Sequence, residues 1–453
     1  TQLRYLDLCN NDLQELELPT GSRVPEFVFL EGNKNLATPP PEIVGQGRFE
    51  IAQYYRDRVE QGTEQLFEAK LVLVGDGRAG KTTLRDKLKD PNAPLPPEDA
   101  STKGVDIDID KYEFRSAAGQ PFRVNIWDFA GQDEYQPIHQ FFYTHRALYV
   151  FVENAREQKT DFDKWLQMLQ ICSDGSPVLL VHNEFGDQSW KNFPFEALQR
   201  KYPFLKQELR VNFATGRGLY QLKQAIEYHI QQLPHVGEAL PKKWARIRTS
   251  LRTLSAKEPF LTWPQYLAHC AQKEHALPEA DAERLSAYLH ILGAMLHYAD
   301  HELLRQYVIL QNEWATDAVY RILEDDRIVH GDHRGHFDDT DLARIWTRFD
   351  WKHMRPQLLA LMKKFRLCYE VRQEKRYIAP QLLSSAPPAG YRWQPAADLR
   401  LEIRYPIMPR GLITRFTVER HTDIADGQHL VWNEGVVLDW QGTRAQVTEH
   451  FND

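Results

Sequence analysis

Between residues 67 and 237 short apolar runs alternate with stretches of helical spacing. The runs 71–74, 109–114, 122–127, 147–152, 178–181 and 209–213 read as strands. Helical patterns fill 83–90, 160–171 (Phe162, Trp165, Leu166 and Leu169 on one face) and 218–233 (Leu219, Leu222, Ile226, Ile230). Such alternation predicts an α/β unit, a doubly wound sheet of parallel type. Ligands of such sheets sit beyond the carboxyl ends of the strands, so chemistry is sought there.

The flanking segments have other periods. Leu3, Leu6, Leu8, Asn11, Leu13, Leu16 and Leu18 fit LxxLxLxxNxLxxLxL, the leucine-rich repeat spacing, and a looser copy holds Leu30, Asn33 and Leu36. One or two repeats cannot bury their own faces. Residues 1–66 are therefore expected to be the C-terminal end of an array or a cap on the next domain, closed by an amphipathic linker helix over 48–62. Residue 1 is threonine, which suggests a start inside a larger protein. Residues 234–241 read as a linker. Beyond it, over 238–385, helices are expected at 242–255, 263–273, 279–298, 312–323, 339–347 and 356–366. A strand interrupts them within 303–310, and 367–371 with 376–380 form a two-stranded wing, a winged-helix-like unit. After the Pro-rich break at 386–390, Leu401, Ile403 and Tyr405 alternate, as do Phe416 and Val418, and 429–447 reads as a hairpin. Residues 386–453 are thus expected to be an antiparallel sheet ending inside its domain, which makes the whole second module α+β.

The chemistry lies at the strand ends of the α/β unit. The run 71–74 enters Gly75-x4-Gly80-Lys81-Thr82, with a helical stretch behind it. That context is what confirms a phosphate-binding loop. Its glycines turn backbone amides inward, and the following helix N-terminus completes a seat for phosphates. Gly75, Asp76, Gly77, Arg78, Ala79, Gly80, Lys81, Thr82 and Thr83 are the expected nucleotide contacts. Lys81 supplies charge to the β- and γ-phosphates, and the Thr82 hydroxyl faces Mg²⁺. After the third run comes Asp128-Phe129-Ala130-Gly131-Gln132, a DxxGQ pattern. Here Asp128 supports the metal, Gly131 offers its amide to a γ-phosphate and Gln132 orients an attacking water. Thr102, between the two motifs, is suited to close over the metal when the γ-phosphate is present. Expected metal contacts are therefore Thr82, Thr102 and Asp128, and expected catalytic groups Gln132 and Lys81.

Bulk properties narrow the setting. A chain of 453 residues with 42% hydrophobic content can hold two or three cores. The net charge of -7 argues against a general nucleic-acid or acidic-membrane surface. Residues 316–350 are acidic, which turns a winged-helix shape away from DNA. Cys9, Cys172, Cys270 and Cys368 lie far apart with no CxxC pair, which points to a reducing compartment, the cytoplasm. No apolar run of about 18 residues predicts a membrane span. His330, His333 and His336, with Asp332 and Asp338 beside them, have the composition of a zinc site but the spacing of a polar loop tip between strands. His297 and His301 read as surface or packing residues.

The phosphate loop, Thr102, the DFAGQ motif and the strand order resemble a small Ras-like GTPase domain. More narrowly the chain resembles the Roco family, in which such a domain, Roc, precedes a COR domain, and bacterial members often carry leucine-rich repeats in front. The resemblance implies GTP and GDP as ligands, Mg²⁺ as cofactor, slow GTP hydrolysis and homodimerisation through COR, residues 238–453. The runs 292–300, 308–323 and 408–421 carry the COR likeness. No kinase signature set is present. At the base the chain departs from the family's NKxD. Asn183 matches, Glu184 stands where lysine belongs, and the aspartate arrives one residue late as Asp187. Residues 213–216, Phe-Ala-Thr-Gly, fall where the family has SAK, so the Ala214 amide is expected to meet the base oxygen, with Thr215 beside it. Arg78 in cis or Arg156 from a dimer mate are candidate arginines for hydrolysis. A nucleotide-gated scaffold with little turnover and a P-loop ATPase stay open as alternatives.

Overall fold

The computed structural model describes the chain except residues 1–2, 14, 19–24, 34–35, 37, 98–104, 118, 130–145, 156–159, 174, 185–192, 273–275, 332, 373, 394–398, 406–410 and 451–453. At the N-terminal end β1 (Tyr5–Asp7) and β2 (Phe27–Phe29) run parallel, with Tyr5 opposite Phe27. Asn33 joins the two turns. Its Oδ1 accepts the amides of Asn11 and Leu13 at 3.0 Å, and its Nδ2 donates to the carbonyls of Leu8 and Leu30. Asn11 donates within its own turn, to the Cys9 carbonyl. Helices α1 (Pro41–Gln46) and α2 (Arg48–Gln61) come next.

Helix α2 is more than a linker. Tyr54 is fully buried, lies 6.1 Å from Trp244 and donates its hydroxyl to the Ala239 carbonyl. Asp57 faces Arg284 at 3.4 Å. The N-terminal segment and the helices after residue 241 therefore share one core, including Val28, Ile51, Trp244, Tyr266 and Tyr288. The expected linker at 234–241 is also structured. Strand β3 (Thr63–Leu66) pairs antiparallel with β10 (Glu238–Pro241), Thr63 opposite Pro241. The ribbon holds both ends of the intervening unit side by side.

That unit is built on β4 (Glu68–Val74), β5 (Val105–Arg115), β6 (Pro121–Phe129), β7 (Ala147–Asn154), β8 (Val178–Asn183) and β9 (Leu205–Val211). They form one sheet in the order β5-β6-β4-β7-β8-β9. All neighbours are parallel except β5 against β6, so the sheet is mixed. Helices α3 (Lys81–Lys89), α4 (Phe162–Ser173), α5 (Phe195–Lys201) and α6 (Leu219–Gln231) connect it. Alternate side chains of β4 take opposite faces. Leu71 and Leu73 meet Leu84, Leu222 and Ile226. Val72 and Val74 belong to a core that runs through Trp127 and Phe151 into Trp314, Trp346 and Leu358 of the second module. Strand β4 begins earlier than its apolar run because two polar residues are buried there. Glu68 pairs with Arg248 and accepts Asn125 Nδ2 at 2.7 Å, and Lys70 lies 3.8 Å from the centre of the Trp127 ring.

The second module opens with α7 (Lys242–Ser255), β11 (Phe260–Thr262), α8 (Trp263–Cys270), α9 (Glu279–Ile291) and β12 (Tyr307–Ile309), with β11 and β12 antiparallel. Helix α10 (Asn312–Leu323) is next, then α11 (Asp326–His330), α12 (Asp339–Ile345), α13 (Phe349–His353) and α14 (Arg355–Lys364). The expected wing is three-stranded. Strand β13 (His336–Asp338) joins β14 (Tyr369–Val371) and β15 (Arg376–Ile378) in the order β13-β15-β14. The histidine cluster is not a tip between strands, for His330 ends α11 and His336 begins β13. Asp332 lies outside the described residues. Among those described, no three His, Cys, Asp or Glu side chains gather as a metal requires.

At the C-terminal end the expected strands give way in two places. Phe416 and Val418 sit in a helix, α15 (Leu412–Glu419), because Ile413, Thr414, Thr417 and Val418 are the buried positions and 3.6-residue spacing serves them. Leu401, Ile403 and Tyr405 lie in an irregular exposed segment. The hairpin forms and gains a strand, as β16 (Val431–Trp432), β17 (Gly435–Trp440) and β18 (Thr443–Thr448). No described helix is long and apolar enough to cross a membrane.

Candidate functional site

Strand β4 ends in Gly75, whose φ of 137° opens the loop. A Cβ there would stand 2.0 Å from the Val152 carbonyl oxygen, so only glycine fits. Gly80, at φ 104°, closes the loop as the N-cap of α3. A Cβ on it would meet Asn183 Nδ2 at 2.6 Å and the Phe213 ring at 3.1 Å. Gly77 and Arg78 are exposed at the loop's crest, Arg78 at φ 60°. The first amides of α3 have no intrahelical partner and face this loop, as an anion seat requires.

Lys81 starts α3 and is buried. Its Nζ donates to the carbonyls of Gly75 at 2.9 Å and Asp76 at 2.8 Å. Burial brings its pKa down to about 8, although Asp128 and Asp76 pull the other way. Thr82 Oγ1 donates to Asp128 Oδ2 at 2.6 Å, which joins the loop to the end of β6. Asp128 is fully buried, with Arg85 Nη1 3.8 Å from the same oxygen. A hydroxyl and a carboxylate are hard oxygen donors, the set that suits a small divalent cation. Thr83 is buried against the core side of the helix.

Asp76 works differently from a loop residue open to ligand. Its Oδ1 accepts Trp165 Nε1 and its Oδ2 accepts Thr160 Oγ1, each at 3.0 Å. The carboxylate moors the loop to the start of α4, which leaves only the Asp76 backbone for phosphate. Periodicity marks Trp165 as apolar lining and gives no sign of this indole bond.

At the base end Asn183 donates Nδ2 to the Ala79 carbonyl at 2.9 Å, so β8 braces the phosphate loop. Glu184 is buried and pairs with Arg217, with Arg210 Nη1 at 3.9 Å. The Ala214 amide, the expected donor to a base oxygen, is given to Asn212 Oδ1, as is that of Thr215, both at 3.0 Å. Among the described residues the Phe213 amide meets no acceptor. Reading the turn one residue earlier, with Asn212 in the serine's place, would have found this, since a short side chain that caps two amides is what serine and asparagine both do. Thr102, Gly131, Gln132, Asp187 and Arg156 lie outside the described residues.

Comparison with known proteins bears on this loop and on the chain beyond it. The family model "Ras of Complex, Roc, domain of DAPkinase" matches residues 70–186. "C-terminal of Roc, COR-A domain" matches 241–383, and the COR-B model matches 396–453. The chain belongs to the Roco family. Its Roc domain carries the phosphate loop, and its COR-A domain shares the buried face of the sheet. The probable serine/threonine-protein kinase pats1 of Dictyostelium discoideum is 26% identical over 95% of this chain and 15% of its own length. A Roc-COR-CHAT protease of Runella zeae is 26% identical over 86% of this chain and 43% of its own. The chain thus spans less than half the length of these curated relatives. The solved structure of Methanosarcina barkeri Roco2 RocCORdC bound to GDP has a TM-score of 0.60 and 26% identity, covering 71% of this chain and 98% of that one.

Proposed function

We propose that this chain is a guanine-nucleotide switch that binds GTP and GDP with Mg²⁺ and hydrolyses GTP slowly. The observation that carries the reading is the joint of Lys81, Thr82 and Asp128 on the loop that begins at Gly75. Lys81, now bonded to loop carbonyls, has the charge and reach to take phosphate oxygens instead. Thr82 and Asp128 would hold Mg²⁺, which supplies charge neutralisation at the phosphates. Thr102 would close over it, Gly131 would give its amide to the γ-phosphate and Gln132 would orient water. Asn183 and the Phe213 amide would face the base, with Asp187 as the acceptor that selects guanine. Guanine is supported by the GDP of the Roco2 structure.

The nucleotide state would pass to the COR module through the core shared by β4, β6 and α10, and from there to a dimer contact within residues 238–453. The N-terminal parallel turns would be the last coils of a leucine-rich repeat array. The test is GTP turnover by purified protein against Lys81→Ala. Turnover should fall by roughly a hundredfold, the scale of one lost transition-state contact. Equal rates would sink the assignment. Competition of ATP against GDP for binding separates this reading from a P-loop ATPase.

A further inference from the structure

Glu184 occupies the position at which the likeness to Ras-type switches expects a lysine along the base. Its surroundings explain the change of sign. Its amide donates to the Val211 carbonyl at 2.7 Å, which ties the end of β8 to the end of β9. Its carboxylate is buried and directed at two guanidiniums, Arg217 in direct contact and Arg210 at 3.9 Å. A buried carboxylate keeps its charge only when so paired.

Arg217 belongs to the turn that presents the Phe213 amide. That turn is closed on itself. Asn212 donates its amide to the Arg217 carbonyl at 2.9 Å, Gly216 donates to the Asn212 carbonyl at 2.9 Å, and Asn212 Oδ1 takes the amides of Ala214 and Thr215. Gly218 ends it at φ 78°, where a Cβ would stand 2.2 Å from the Arg210 carbonyl oxygen. Turn 212–218 is thus a stiff piece whose attachment sets its height above the phosphate loop. The Phe213 ring already lies close to Gly80.

We propose that the Glu184–Arg217 ion pair is a strut that positions the base-facing turn, so that both residues determine nucleotide selectivity without touching nucleotide. The inference rests on the reading of this pocket as a nucleotide site. Lysine at position 184 would face Arg217 and Arg210 as a third cation, so restoring the family's residue is a loss here.

The test measures Kd and dissociation rate for fluorescent GDP and ADP on the full chain, together with Kd for tripolyphosphate, which has no base. The variants are Glu184→Gln, Glu184→Lys, Arg217→Gln and the reversed pair Glu184→Arg with Arg217→Glu. The single variants should speed GDP dissociation by about tenfold, equal to about 1.4 kcal/mol, narrow the GDP-to-ADP preference and leave tripolyphosphate affinity within about twofold. The reversed pair should recover most of the preference. The Arg217 side chain is 61% exposed, so Arg217→Gln tests the strut even where a change at buried Glu184 unfolds the domain. If the wild type binds GDP in a Lys81-dependent way and Arg217→Gln keeps its rate and preference, the strut is refuted while the pocket stands. If the wild type binds no nucleotide, both fall together. Tighter GDP binding by Glu184→Lys would also overturn it.

Discussion

Lys70 carries an ammonium group to a place that water does not reach. It faces the Trp127 indole at 3.8 Å and the backbone at Gly293. Loss of solvation brings its pKa from the usual lysine range down to about 7. A cation–π contact, worth about 0.5–2 kcal/mol, offsets part of that cost. Between pH 7 and about 10 the unfolded chain keeps a proton that the folded chain has given up. Stability therefore rises with pH across that window, at up to about 1.4 kcal/mol per unit. Lys70→Met should remove the part of the slope that Lys70 contributes, leave the part that Lys81 contributes, and raise stability at pH 7. Urea melts at pH 7 and pH 9 on both proteins measure it, and an unchanged slope in the variant would count against the burial argument. Lys70 also shows what sequence leaves out. A lysine inside an apolar run marks a surface strand by pattern, and only the arrival of a second domain on that face buries it.

Helix boundaries in the second module were legible where local chemistry and burial agree. Thr262 and Gln265 form a reciprocal cap at the start of α8, and Asp338 with Asp341 does the same for α12. Pro241 precedes α7, which spans the expected 242–255. Beyond residue 386 the pattern misled, because β-branched residues in α15 imitate a strand and packing overrides propensity. The alternation of Leu401, Ile403 and Tyr405 has no matching buried face, with exposures of 80%, 65% and 47%. Substitution of both Leu401 and Ile403 by lysine should therefore move Tm by no more than about 2 °C, since exposed changes cost within about 0.5 kcal/mol. A drop beyond about 5 °C in a thermal melt would show that the segment is packed in the folded protein.

At the scale of the whole molecule the Roc and COR-A domains meet across buried charge as well as apolar surface. Glu68 on β4 and Arg248 on α7 are each about 6% exposed, and Asn125 holds the second carboxylate oxygen. Burial draws the Arg248 pKa down to about 10. Removing one partner strands the other, so Arg248→Met should cost about 3–5 kcal/mol. The double change Glu68→Leu with Arg248→Met should recover most of it, because a well-packed apolar pair replaces two desolvated ions at little cost. Chemical denaturation of both variants decides, and a double variant as weak as the single one would refute this account of the joint. The site was legible in part for a related reason. Motifs local in sequence, such as 75–82, announce themselves, whereas moorings such as Asp76 to Trp165 depend on chain segments 89 residues apart.

The ribbon of β3 and β10 has a mechanical consequence. The chain passes into the Roc domain and out of it at neighbouring points, so the domain hangs from the remainder of the molecule on a single two-stranded stalk. A body suspended this way can tilt as a unit without stretching any connecting segment. Surface contact resists the tilt, and among the described residues part of that contact is made by β4 and β6, the strands that end at the phosphate loop and at Asp128.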